Sequence, residues 1–186
     1  MALYAFHDVI LKVERHGQES VEVLPRLLEE LSWVRIQRGV REPSLRLSIS
    51  LHPNGLSVPP AAREVFRADG FSALDSGDNF YLTDGSSLLH LQPARGEGTA
   101  FIAPSFFTKP PLLQNNFWAF GLLKLLRPLG FYSLHAAGIV SKEGVGLLVI
   151  GPSGSGASPP WRSGWPVGAG AISPTMLSSF VLMWKE

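Results

Sequence analysis

The hydrophobic pattern is clearest at Leu45–Leu51, LRLSISL. Leu45, Leu47, Ile49 and Leu51 fall on one side, and Arg46, Ser48 and Ser50 on the other. A period of two predicts a half-exposed strand, ended by the turn residues Pro53-Asn54-Gly55. Val9, Leu11 and Val13 alternate with Asp8, Lys12 and Glu14, so residues 3–14 are read as a strand followed by a His16-Gly17 turn. A different spacing sets in at Leu24, Leu27, Leu28 and Leu31. It predicts an amphipathic helix over 20–33, with Ser20 as N-cap and Pro25 early enough to be tolerated.

Residues 60–68 are read as a short helix. Phe80-Tyr81-Leu82, Asp84-Gly85 and Leu88 to Leu91 predict a hairpin, and Thr99–Ala103 a further strand after the Ala94–Gly98 turn. The expected fold class is α+β. A small mixed domain with an antiparallel sheet spans residues 1–112, followed over 113–156 by the incomplete start of an α/β domain, which the glycine-rich run Gly151–Gly156 after a strand marks as of P-loop type. Residues 104–114, marked by proline, form the expected linker. Asn115 or Asn116 caps a helix running to about Arg127 and stopping before Pro128. Its FWAFGLLKLL core is apolar nearly all round, which implies burial. Phe131–Ser141 and Val145–Ile150 predict two strands joined at Lys142-Glu143-Gly144 as a hairpin.

Composition narrows the function classes. The 186 residues are 45% hydrophobic and 17% charged, enough apolar content for a packed core. A net charge of +1 argues against a nucleic-acid surface built on bulk charge. The absence of cysteine excludes disulfides and thiolate metal sites. With no long apolar run and no signal-peptide pattern at the N-terminus, the expectation is a cytoplasmic protein with no membrane partner.

The chemistry is concentrated after the second predicted hairpin strand. Leu147 to Ile150 run into Gly151-Pro152-Ser153-Gly154-Ser155-Gly156, the first part of a G-x-x-x-x-G phosphate loop placed after a strand. Small residues let successive backbone N–H groups converge on phosphate oxygens. The lysine and hydroxyl residue expected next are replaced by Ala157 and Ser158, followed by Pro159 and Pro160. A loop of this composition is otherwise an ordinary turn after a core strand.

Ser133 to Gly156, SLHAAGIVSKEGVGLLVIGPSGSG, resembles the HPr kinase/phosphorylase catalytic domain and its smaller relatives. In that family a histidine precedes a hairpin that leads directly into the phosphate loop. The resemblance implies a kinase that phosphorylates a serine of a partner protein with ATP and Mg²⁺. It implies that Gly151, Pro152, Ser153, Gly154, Ser155 and Gly156 bind nucleotide and that His135 occupies the family's active-site histidine position.

Beyond Gly156 the resemblance stops. Paired prolines prevent the helix whose N-terminus would face the phosphate, and residues 157–186 show neither helical nor strand period. A shifted reading frame restores it. When each codon starts at the third base of one residue's codon, Ala157-Ser158 permits AAG for lysine. Ser158-Pro159 then permits serine, and Pro159-Pro160 threonine. In the same frame Ala169 to Met176 permits Trp-Arg-Tyr-Leu-Ser-Asp-Asp. Residues 157–186 are therefore read as an out-of-frame, poorly ordered tail on a truncated kinase that lacks the phosphate-binding lysine, the metal-binding hydroxyl and the acidic pair. Such a chain is expected to be inactive or impaired, with ATP and Mg²⁺ binding lost or weakened. Its uncovered apolar surface is expected to promote homo-oligomerisation or aggregation.

Other candidates carry ordinary readings. His7, His16, His52 and His90 have no metal-ligand spacing. Asp75, Asp78 and Asp84 miss the calcium-loop pattern and read as solvated turns. Arg35, Arg38 and Arg41 read as a solvated loop, with docking of an acidic peptide as the alternative. Trp161, Trp165 and Trp184 form no pattern. The competing function is a non-catalytic peptide- or protein-binding module in the first domain, or a nucleotide binder without phosphoryl transfer.

Overall fold

The computed structural model describes residues 1–16, 28, 33–37, 42–52, 56–68 and 70–132, together with the backbone of three strands at 135–140, 146–150 and 180–181. The chain divides into two compact units, Met1–Leu129 and Gly130–Glu186.

The first unit is a nine-stranded mixed sheet with a long helix. Its strands are β1 (Ala2–Phe6), β2 (Val9–His16), β3 (Val34–Ile36), β4 (Leu45–Leu51), β5 (Arg63–Ala68), β6 (Phe71–Ser76), β7 (Asn79–Thr83), β8 (Leu88–Gln92) and β9 (Glu97–Ile102), in the order β3-β1-β2-β4-β9-β8-β7-β6-β5. The expected antiparallel sheet is instead mixed, because β4 lies parallel to both β2 and β9. Strands parallel on both sides are normally covered and apolar, and Leu45, Leu47 and Ile49 are indeed buried.

Register aligns the core. Ile49 pairs with Ala100, Ala100 with Leu89, Leu89 with Leu82, and Leu82 with Ala73. Cross-strand partners share a face, so these residues form one apolar row beside Leu47, Gly98, Leu91 and Phe80. Helix α1 (Pro111–Leu126) lies over this face, burying Phe117, Trp118, Leu122 and Leu125. Gly121 and Gly98 permit the close approach. A Cβ on Gly121 would stand 2.3 Å from Leu89 Cδ2, and one on Gly98 would meet Leu91 and Leu47 at 2.8 and 3.0 Å. The opposite face carries a mostly polar row, Glu14, Ser48, Thr99, His90, Tyr81 and Leu74.

Several elements differ from the expectation. The strand predicted over 3–14 is a hairpin, β1 against β2, turning at His7-Asp8 with His7 at φ 49°. The helix predicted over 60–68 is the edge strand β5. The preceding prolines are spent in a turn, with Ala62 N–H donating to Pro59 C=O, and Val65 and Phe66 suit a pleated edge. A bulge between Glu64 and Phe66 restores Glu64 and Arg67 to the same side, where Arg67 Nη2 lies 2.6 Å from Glu64 Oε2. Residues 104–114 are not a linker. Pro104–Thr108 is a 3₁₀ turn that buries Phe106, and α1 begins at Pro111 rather than at Asn115 or Asn116. Pro111 is suited to the first helical position, where no N–H is needed. The hairpin β7–β8 stands as expected, while β6 had no clear prior signal. Of the helix predicted over 20–33, the described residues are Leu28, helical and buried, and Trp33, whose N–H donates to Leu28 C=O. The rest lies outside the described residues.

The second unit contains β10 (His135–Val140), β11 (Gly146–Ile150) and β12 (Phe180–Val181), ordered β11-β10-β12. β10 and β11 are antiparallel, as the hairpin expectation requires, and β12 pairs with β10 at His135 and Ala136. Helix α1, placed by sequence after residue 112 with the second segment, packs on the sheet of the first unit.

Candidate functional site

His135 opens β10, and Ala136 is the Cα partner of Ile150, the last residue of β11. The register therefore brings the start of β10 to the end of β11 from which Gly151 follows. Gly151, Pro152, Ser153, Gly154, Ser155 and Gly156 lie outside the described residues, as do the side chains of the strands β10, β11 and β12. The strand preceding the glycines and its antiparallel partner are both present.

Comparison with known proteins finds no matching family model, curated protein or solved structure. The chemistry of the first unit thus rests on its own geometry.

The four histidines of the first unit are not gathered. His7 is in the β1–β2 turn, His16 ends β2, His52 packs edge-on to Phe101, and His90 is in β8. Among the described residues no group of three or more His, Asp and Glu could hold a metal ion. His90 stacks on its cross-strand partner Tyr81, with ring centroids 4.9 Å apart. Its Nε2 is 2.8 Å from Asn79 Oδ1, which also accepts from Gln92 Nε2. Burial holds the His90 imidazole below its ordinary pKa, favouring the neutral ring.

The three aspartates separate sharply. Asp75 accepts the Gly77 N–H at 3.2 Å, and Asp78 is exposed at the same turn. Asp84 is no solvated turn residue, since its side chain is only 2% exposed. Its Oδ1 accepts the N–H groups of Ser86 and Ser87 and the Ser86 hydroxyl, while Lys109 Nζ lies 2.9 Å from Oδ2. Burial raises the carboxyl's pKa, but the Ser87 N–H, Lys109 and the Ser86 N–H outweigh it and hold the group below its usual value. Ser87, itself buried, accepts the Ala103 N–H on its hydroxyl. This network locks the β7–β8 turn to the segment entering α1, which assigns it to architecture. The Asp-Gly-Ser run signals the turn, but nothing local signals Lys109.

No helix among the described residues is long and apolar enough to cross a membrane.

Proposed function

We propose that the β10–β11 hairpin and the glycine loop after it, residues 135–156, carry the start of an HPr kinase/phosphorylase-like domain, that the chain is an impaired form of an ATP-dependent serine kinase, and that it works in the cytoplasm. In this reading Gly151–Gly156 cradles phosphates through backbone N–H groups. His135 lies beside the transferred phosphoryl, and a protein or peptide serine is the acceptor. The observation supporting it is the β10–β11 register, with Ala136 opposite Ile150, which suits a histidine held near the root of the loop. ATP and Mg²⁺ would be the cofactors of an intact version. Here Ala157 replaces the lysine that meets the β- and γ-phosphates. Loss of one preorganised donor of this kind lowers rate by about 10²–10³.

The test is the coding DNA and the protein made from it with the frame shifted after Gly156. We expect the shifted frame to encode lysine immediately after Gly156, and the resulting protein to bind Mg²⁺-ATP and transfer its γ-phosphoryl. The present chain should show neither at comparable rates. A base sequence that cannot encode lysine there, or rapid turnover by the present chain, overturns the reading.

A second reading, a peptide-binding module in the first unit, is favoured by one observation. Met1–Leu129 forms a compact unit of its own. Partner binding retained by that unit, without nucleotide, would select it.

A further inference from the structure

The helix-covered face of the first sheet ends in a groove of about 390 Å³ near the C-terminal end of α1. Its floor is apolar, made by Phe80, Pro93, Ala94 and Pro128. Lys124, from the last turn of α1, and Arg127, just beyond it, line it, as do Asp75 and Asp78 from the β6–β7 turn. Lys124 Nζ is 4.3 Å from the centroid of the Phe80 ring, and Asp75 is the cross-strand partner of Phe80. An ammonium and a carboxylate therefore border one aromatic side chain, yet neither aspartate forms an ion pair with Lys124 among the described residues. The Gly77 N–H fixes one oxygen of Asp75 and leaves the other unused, and Asp78 stands at the exposed rim.

The opposite charges of Lys124 and of Asp75 and Asp78, unpaired with one another along one apolar groove, are complementary to a ligand that carries both charges. A ligand with one charge alone would be attracted by one of these groups and repelled by the other. The volume is within the usual range of small-molecule sites, about 300–1,000 Å³. We propose that this groove binds a free α-amino acid with an apolar side chain. Its carboxylate faces Lys124, its ammonium faces Asp75 and Asp78, and its hydrocarbon rests on Pro93, Ala94 and Pro128. The site is independent of the phosphate loop and of any kinase activity.

The experiment is a titration of the full chain with L-leucine, N-acetyl-leucine and leucinamide, followed by calorimetry and by amide chemical shifts. L-Leucine should bind saturably in the millimolar range, with the two blocked derivatives each about tenfold weaker. Asp78→Asn should diminish the preference over N-acetyl-leucine and keep the preference over leucinamide. Lys124→Gln should do the reverse. Both substitutions are partly or fully exposed, and the blocked derivatives test each charge without any substitution. The proposal is overturned if leucine does not saturate, if either blocked derivative binds as well as leucine, or if the variants leave both preferences unchanged.

Discussion

Lys109 Nζ stands 2.9 Å from Asp84 Oδ2, joining the β7–β8 turn to the chain just before α1. The pair is asymmetric, with the Asp84 side chain 2% exposed and that of Lys109 25%. Removing the carboxylate frees the Ser86 and Ser87 N–H groups together with the ammonium, whereas removing the ammonium leaves a carboxylate still held by backbone donors. We therefore expect Asp84→Ala to destabilise by about 3 kcal/mol and Lys109→Met by about 1–2 kcal/mol. Denaturant titration of both variants measures the difference, and equal losses would show that the ion pair, rather than the turn donors, dominates.

The same carboxyl sets an acid dependence. Its folded pKa lies below the ordinary value of 3.8, so the unfolded chain takes up the proton first. The contribution of Asp84 to stability is complete above the unfolded value and is lost as pH falls from there through the folded value. Asp84→Asn should be less stable at neutral pH and show a shallower decline below 3.8. His90 acts in a higher window. Its folded pKa is depressed by burial from 6.5, so its contribution is present above that value and fades as pH falls through the folded one. His90→Gln should flatten the stability profile below pH 6.5. Thermal melts across both windows separate the two groups.

Two left-handed glycines should respond differently to alanine. Gly77 has φ 65° and open space around its missing Cβ, so Gly77→Ala should cost about 1–2 kcal/mol through backbone conformation alone. Gly96 has φ 67°, but a Cβ there would stand 2.5 Å from the Ser44 backbone oxygen. A backbone atom cannot rotate away, and Gly96 C=O also accepts the Arg46 N–H where β4 begins. Gly96→Ala should therefore cost more than Gly77→Ala, by about 1 kcal/mol or more. Equal melting shifts in the two variants would contradict the close approach.

What could be read from the chain alone follows from where the deciding contacts are. Leu45–Leu51 was legible because each alternate residue meets a covered face, so its period reports its own burial. Arg63–Ala68 was not, because an edge strand has no such period. The bulge restores Glu64 and Arg67 to one side, and their spacing then mimics a helical pair. Residues 104–114 read as a linker because prolines usually interrupt regular elements, although Pro111 suits a helix start and Phe106 is core. Asp84 looked like any turn aspartate because its partner, Lys109, is distant in sequence. The glycine loop at 151–156 was legible as a motif through its spacing, but the described geometry reaches only its preceding strand and the backbone of His135.

Gln114 supplies the sharpest remaining test of why that proline-marked stretch is ordered. It is buried in the first turns of α1, and its Nε2 donates to Lys109 C=O at 2.7 Å and more weakly to Phe107 C=O. The segment entering the helix thus has carbonyls served by one side-chain amide. Gln114→Ala should cost about 1–3 kcal/mol by leaving these acceptors unserved. Gln114→Glu keeps the shape but, when ionised, presents oxygen to oxygen in a buried place, and should be worse than alanine at neutral pH. Its protonated carboxyl can donate again, and burial raises the pKa of such a group. The deficit of Gln114→Glu should therefore shrink on acidification, while that of Gln114→Ala stays constant after subtraction of the parent profile. If glutamate is as mild as alanine at neutral pH, the amide does not donate to these carbonyls, and the order of the 104–111 segment must come from Phe106 packing and the Asp84–Lys109 tie to the β7–β8 turn.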